Sequence, residues 1–369
     1  MNTYTAAALF LSALFVVGCQ TQEQQDQKQV QTFVALDDDV AIPANDAFKP
    51  SEQMAKRTRA AAVALLASLD EGQREKAARP IRDPLRKDWH FIPRDREGLA
   101  LGEMSVQQKT LVHALMQTAL SDSGYLKATD IIWLETVLYE MSNQNPMRDP
   151  GKYMLVIFGD PADLSAAWGW RLEGHHLSIN LTYTPEAIGV TPLFFGTNPA
   201  VVPAGPLAGK RVLADAHHLA VAFAKSMSDD QRKQMMLAQK PRDVITGPGR
   251  EKVLDQHAGL LAKDMTDAQQ ADLLRLLWAH WGSLDSDHAR DLYWRVVNLF
   301  GDAPILHDYS FAWAGPIDAD KPFYYRIRGE RFLVEYSCQG KNHVHAVIHD
   351  LTDPLQEDLL KKHFEQHEH

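Results

Sequence analysis

Two histidines late in the chain, His343 and His345, have a spacing that could support metal chemistry. They follow Cys338–Asn342, whose glycine and asparagine suit the tight connection of a β-hairpin. Side chains two apart on a strand project to the same side, so the two imidazoles would share a face. If Ser337 pairs with His343, then Glu335 lies opposite His345 on that face. The sequence therefore predicts Glu335, His343 and His345 as ligands of a divalent metal, zinc or iron.

A second histidine pair, His175 and His176, lies within Trp168–Tyr183, which is typical of a strand pair bent at Gly174. Beyond the bend, strict alternation groups His175 with apolar side chains and His176 with polar ones. We therefore interpret His175 as a core residue and His176 as a candidate fourth metal ligand. The alternative for this pair is one core histidine and one surface histidine. The alternative for Glu335, His343 and His345 is a solvated sheet face with an ordinary Glu–His cross-strand pair.

Charged residues near these histidines suggest a reaction. A metal that activates water would hydrolyse an ester, amide or phosphoester, with Glu173 as a candidate general base. Arg171 and Arg326 are candidates for binding an anionic substrate through paired hydrogen bonds. The alternative is a non-catalytic binding protein for metal delivery or partner recognition. Either function allows a small-molecule or peptide ligand.

The pattern of the whole chain predicts an α+β fold. Amphipathic helical stretches, Arg250–Leu261 among them, alternate with groups of strand-like runs such as Tyr153–Phe158 and Phe311–Ile348. Connections of hairpin length join most of these runs. We therefore expect a largely antiparallel sheet of hairpins packed with several amphipathic helices.

The same helix opening occurs three times, at Ser105, Ser228 and Thr266, each with glutamine three positions later. This spacing is the capping box, in which the hydroxyl accepts from a free backbone amide and the glutamine reaches back. The matching stretches are short. They indicate repeated capping chemistry and not repeated function, and they are too short to establish a repeat fold.

The first residues predict export. An apolar run, Ala6–Val17, ends in a Val-Val-Gly-Cys sequence that resembles the lipobox of bacterial lipoproteins, although Asn2–Thr5 lacks the usual lysine or arginine. We interpret residues 1–18 as a lipoprotein signal peptide and Cys19 as the lipidated residue. Residues 19–50 would be a polar, flexible tether and residues 51–369 a single domain. The protein is then expected at the cell envelope, anchored to a membrane on its periplasmic face.

Composition excludes several classes of function. A net charge of −10, without runs of lysine or arginine, argues against nucleic-acid binding. Only two cysteines are present, so lipidation of Cys19 leaves Cys338 unable to form an intramolecular disulfide. The chain also lacks the nucleophile elbow, the phosphate-binding loop and the His-Glu-x-x-His helix.

Several blocks resemble the secreted family known as domain of unknown function 3500. They include Arg148-Asp149-Pro150, the Glu-Gly-His-His block within Trp168–Ser178, and Asn342-His343-x-His345. The resemblance extends over roughly residues 55 to 365. It implies an exported one-domain protein, and the family name implies no activity. One departure is Ser337-Cys338, where similar proteins tend to have Asp-Asn.

Overall fold

The structure is a computed structural model that describes residues 52–205, 207–254, 256–297, 299–300, 303–340 and 342–366. The expected signal peptide, the tether and Cys19 lie outside these residues. Within the described ranges, no helix is both long enough and apolar enough to cross a bilayer.

Nine α-helices and fifteen β-strands are present in the described part of the chain. The helices are α1 (Glu52–Ala67), α2 (Glu71–Ala77), α3 (Val106–Ala119), α4 (Asp122–Met141), α5 (Ala214–Lys225), α6 (Asp229–Met235), α7 (Asp267–Trp281), α8 (Ser286–Val297) and α9 (Glu357–Gln366). The strands are β1 (Ala78–Arg79), β2 (Leu99–Ala100), β3 (Met154–Phe158), β4 (Trp168–Gly174), β5 (Leu177–Tyr183), β6 (Ile188–Gly189), β7 (Leu193–Thr197), β8 (Met236–Ala238), β9 (Leu260–Leu261), β10 (Leu299–Phe300), β11 (Ala303–Pro304), β12 (Ser310–Ala314), β13 (Phe323–Arg328), β14 (Phe332–Cys338) and β15 (Val344–Asp350).

One large, mostly antiparallel sheet organises the fold. Its strand order is β1-β3-β4-β5-β7-β15-β14-β13-β12-β8, with β2, β6 and β9 attached at the side. Only the outer pairs β1–β3 and β8–β12 are parallel. The predicted α+β class, with strands joined mainly as hairpins, is confirmed.

The two halves of the sheet repeat the same order of elements. Each half supplies two helices, two short strands, two more helices and then an antiparallel series of strands. In each half the first short strand runs parallel to the opening strand of that series, and the second runs antiparallel to it. The halves meet where β7 pairs with β15, so the strand order reads alike from either edge.

Two glycines show how closely the halves correspond. Gly174 ends β4 beneath the ring of Tyr153, and Gly329 follows β13 beneath the ring of Tyr309. A Cβ atom at either glycine would overlap the tyrosine ring. Each half therefore depends on a glycine at the same turn, because an aromatic ring occupies the space of the missing side chain.

The predicted capping boxes are confirmed, and they occupy related places in the two halves. They start α3, α6 and α7, and a fourth, at Asp70, starts α2. The boxes are joined in pairs: the side-chain amide of Gln108 donates to Gln73 at 2.7 Å, and that of Gln269 donates to Gln231 at 3.0 Å. The recurring sequence therefore marks a repeat of structure, which the sequence interpretation missed.

The helix predicted over Arg250–Leu261 is wrong. Its described residues form turns and the short strand β9. Gly249 and Gly259, which flank this segment, have φ angles of 71° and 101°, a conformation that a right-handed helix does not contain. Between them, the carboxylate of Glu251 accepts from the buried indole of Trp89 at 2.8 Å, so the segment covers that ring instead of forming a helix.

Helices and loops cover opposite faces of the sheet. Apolar side chains from the helices and from one sheet face form the main core, with Leu115, Leu177 and Tyr336 among them. A smaller apolar cluster on the other face contains Phe91 and Phe194, whose rings stack with centroids 4.0 Å apart. The candidate site lies at the edge of this second cluster.

We predict that Gly174→Ala and Gly329→Ala each destabilise the protein by about 1–3 kcal/mol, because the added methyl group overpacks a buried tyrosine. Gly72→Ala is the matched control: it lies in α2, its nearest contact would be 3.7 Å away, and alanine favours helix. Urea unfolding measures all three. Wild-type stability in both the Gly174 and the Gly329 variant would contradict the close packing of these glycines against the tyrosine rings.

Candidate metal centre

Three histidines from the two halves converge at one end of the β7–β15 pair. His176 lies in the two-residue turn between β4 and β5, His343 precedes β15, and His345 belongs to it. One ring nitrogen from each lies within 4.8 Å of the others, and Nε2 of His176 is 2.7 Å from Nε2 of His343. The structure thus brings together three of the four predicted ligands. This group could hold a metal ion.

The main chain around the turn fixes His176. Its φ angle of 63° is unfavourable for a residue with a side chain and is stabilised by two hydrogen bonds. The His176 amide donates to the carbonyl of Phe91 at 2.9 Å, and the Gly196 amide donates to the His176 carbonyl at 2.7 Å. Gly196 also makes room for the rings: a Cβ there would lie 3.0 Å from His176 and 3.1 Å from His345.

Asp243 orients the His345 ring. Its carboxylate lies 2.7 Å from Nδ1 of His345, which leaves Nε2 for a metal. Carboxylates commonly hold metal-binding histidines in this way. Partial burial alone would raise the pKa of Asp243, but its hydrogen bond with His345 and the charge of that ring lower the pKa below its usual value. The rings of Phe91 and Phe194 flank His345 with centroids 5.1 and 5.3 Å away.

Burial keeps the imidazoles of His176 and His343 neutral. It lowers the pKa of His176 well below its usual value and, together with the neighbouring His345, lowers that of His343 to about 4. Both rings are therefore uncharged at pH 7 with a lone pair free on one nitrogen. Neutral imidazole is the form that binds metals.

The predicted register of the last hairpin is wrong by two residues. Ser337 pairs with His345 and not with His343, so Glu335 lies opposite Val347. A shift of two residues leaves each side chain on the same face of the sheet, because strand side chains alternate with a period of two. Glu335 and His345 therefore do share a face, as expected, but they are not directly opposite.

Glu335 is not brought into the histidine group. It is completely buried, and its carboxylate accepts from the amides of Ile245 and Thr246 at 2.8 Å each and from the Tyr324 hydroxyl at 2.6 Å. The hydroxyl of Thr246 is a fourth donor. Both oxygens are thus occupied in holding the loop after β8 against the sheet, which is the loop that carries Asp243.

The predicted base, Glu173, also lies outside the ligand group. Its carboxylate accepts from Nε of Arg96 at 2.8 Å, from the amide of His90 at 2.7 Å and from the Ser178 hydroxyl at 3.1 Å. Arg96 in turn donates to the carbonyls of His90 and Ile92. Glu173 therefore anchors the loop that carries Phe91.

Arg171 and Arg326, the predicted substrate-binding residues, are 3% and 7% exposed. Arg171 lines a cavity of about 10 Å³, room for one water molecule and not for a substrate. Arg326 faces Glu335 across β13 and β14. The structure does not bring either arginine to the histidines.

Glu135, on α4, is a site residue that the sequence analysis missed. Its carboxylate lies 2.6 Å from Nδ1 of His175, and Nη1 of Arg148 is 2.7 Å from Nε2 and 2.8 Å from Nδ1 of the same ring. Burial, partly offset by Arg148, raises the pKa of Glu135 to about 8. His175 is buried and hydrogen-bonded, which confirms its interpretation as a core residue.

Glu135, His175 and His176 form a second group that could hold a metal. The first group is the better candidate for two reasons. Both ring nitrogens of His175 already have partners in Glu135 and Arg148. The guanidinium beside this ring would also repel a cation.

Comparison with known proteins gives one positive result. A model of the family described as Protein of unknown function (DUF3500) matches residues 51–353, well over half of the chain. The chain belongs to this family. The sequence resemblance is thereby confirmed, and the family's description gives no activity. No match was found for this DUF3500 protein among curated proteins or among solved structures.

We predict that Glu335→Gln lowers the stability of the protein by about 3 kcal/mol. An NH2 group replaces one carboxylate oxygen and cannot accept a hydrogen bond from a buried donor. Metal content per folded chain stays unchanged, because Glu335 is not a ligand. Urea unfolding and elemental analysis measure the two effects. Loss of metal at wild-type stability would instead restore Glu335 to the ligand set.

Proposed function

We propose that this protein is a membrane-anchored metalloprotein of the cell envelope that binds one divalent metal through His176, His343 and His345. The observation that carries the proposal is the approach of three imidazoles from two distant parts of the chain. Gly196 leaves the space that they need, and Asp243 orients one of them.

The donor set favours zinc over iron. Three imidazoles with one open position are typical of catalytic zinc sites, whereas non-haem iron commonly takes two histidines and a carboxylate. The expected carboxylate, Glu335, is hydrogen-bonded elsewhere. An ion held by three protein ligands also leaves a position for water or substrate.

We propose hydrolysis of an ester, amide or phosphoester as the reaction. A bound zinc ion supplies Lewis acidity and activates water. The protein contributes orientation and proton handling: Asp243 holds the His345 ring, and Glu135 shares a hydrogen bond of 2.6 Å with Nδ1 of His175. Glu135 replaces Glu173 as the nearest candidate for a proton-transfer group, because a Glu135 oxygen lies within 4.8 Å of a His176 ring nitrogen. Its pKa of about 8 leaves it mostly protonated at pH 7.

The same proximity supports the second candidate function, a non-catalytic metal-binding or delivery protein. Glu135 is buried, and one of its oxygens, Oε1, lacks a hydrogen-bond partner among the described residues. Were that carboxylate to complete the coordination of the ion, no position would remain for a substrate. Cobalt-substituted protein separates the functions, because only an open site changes its visible spectrum when azide is added.

We predict about one equivalent of zinc in wild-type protein purified without a histidine tag, and almost none in His343→Ala/His345→Ala. Elemental analysis measures both. His113→Gln is the control, because that histidine hydrogen-bonds to Tyr125 away from the cluster and its loss leaves zinc unchanged. Equal metal in the double variant and wild type would reject the site.

We predict that Cys19→Ser moves the protein from the membrane fraction to the soluble fraction, because lipid on that thiol is the proposed anchor. Fractionation of cells that express each form, followed by immunoblotting, makes the measurement. A Cys19→Ser protein that stays with the membrane would show that the anchor lies elsewhere.

A further inference from the structure

Arg148 is the guanidinium that the fold places against the histidine cluster. It is half-buried, and Nη1 contacts the ring of His175, the immediate neighbour of His176. A second arginine near the cluster, Arg96, differs from Arg148. Its side chain donates hydrogen bonds to the Glu173 carboxylate and to main-chain carbonyls. Among the described residues, by contrast, Arg148 forms no ion pair with a carboxylate, and its hydrogen bonds from the side chain go to an uncharged ring.

The backbone positions this arginine firmly. After α4, Asn143 and Gln144 adopt φ angles of 53° and 57°, which turn the chain sharply. The side chain of Asn145 then accepts from the amide of Met147 at 3.0 Å, and the amide of Arg148 donates to the Asn145 carbonyl at 2.8 Å. Arg148 therefore projects from a short hydrogen-bonded turn, and part of its side chain stays open to solvent.

Charge at the site points to the kind of ligand. Glu173 is neutralised by Arg96, whereas Asp243 keeps its negative charge, because a His345 ring that binds a metal is neutral. Even with both Glu135 and Asp243 counted as ionised, the positive charges of a divalent metal and of Arg148 would exceed the negative charges by one. Neighbouring cations repel each other, and an anion between them removes that repulsion. The whole chain is acidic, with a net charge of −10, so this local excess is opposite in sign to the charge of the protein.

We infer that Arg148 forms, beside the metal ligands, a binding site for an oxyanion: a carboxylate or phosphoryl group carried by the substrate. This inference rests on the proposed metal function and narrows its substrate to anionic esters, amides or phosphoesters. The planar guanidinium fork matches the oxygens of both groups, and a charge-assisted pair of hydrogen bonds fixes the substrate's orientation relative to the metal.

The test uses the full-length protein loaded with cobalt and titrated with inorganic phosphate or, separately, with acetate. Visible absorption and calorimetry give the affinities. In Arg148→Gln, we expect the affinity for the preferred anion to fall about tenfold or more, as for loss of a charge-assisted hydrogen bond. Arg148→Lys keeps the charge without the fork and is expected to lie in between. Arg82→Gln is the control, because the Arg82 guanidinium lies over the Phe364 ring, 4.0 Å from its centroid, and not at the histidines. This variant is expected to bind the anion with wild-type affinity.

The outcomes separate the two proposals. Cobalt uptake by wild type with equal anion affinity in Arg148→Gln overturns the oxyanion site and leaves the metal site standing. Failure of wild type to take up cobalt overturns both. If Arg148→Gln does not fold or load cobalt, Arg148→Lys decides: weaker anion binding supports the site, and unchanged binding overturns it. A stronger effect on phosphate than on acetate identifies a phosphoryl group, and the reverse identifies a carboxylate.

Discussion

The pairing of β7 with β15 is the contact on which the rest of the structure depends. It joins the two halves of the sheet, and it places Gly196 beside His345 while the Gly196 amide holds the carbonyl of His176. A matching contact joins the helical layers, where the Ser121 amide donates to the carbonyl of Ser283. The candidate metal ligands, which are distant in sequence, meet only because the halves are aligned to within one residue along this seam.

The repeat is one of architecture and not of chemistry. In the first half, the two-residue turn after Gly174 carries His175 and His176. In the second half, the equivalent turn after Gly329 carries Glu330 and Arg331, and Arg331 pairs with Asp350 at 2.8 Å. One end of the central strand pair therefore holds histidines, whereas the other holds an ordinary ion pair. The same scaffold supports a candidate site at one end only.

Local patterns in the sequence predicted local structure well. Capping chemistry located the starts of three helices, because it depends on residues within a few positions. Alternation predicted a buried His175 but wrongly placed the two histidines on opposite strand faces, since both lie in the turn and their ring centroids are 3.7 Å apart. The register of the last hairpin was missed, because no local rule fixes which residues pair. Glu135 was missed because one carboxylate in an apolar helix resembles any surface residue until its distant partner is known. Glu335 has a ligand's chemistry, but its hydrogen bonds come from a loop about 90 positions away in sequence.

His176 and His343 are 167 positions apart, yet their ring nitrogens are within hydrogen-bonding distance. An ion bound there as proposed would close a very long loop, which restricts the unfolded chain and favours the folded one. The amount of this protein in a cell would then follow the supply of metal. Under metal scarcity, a larger share of chains would unfold and be degraded, and this response would need no dedicated regulator.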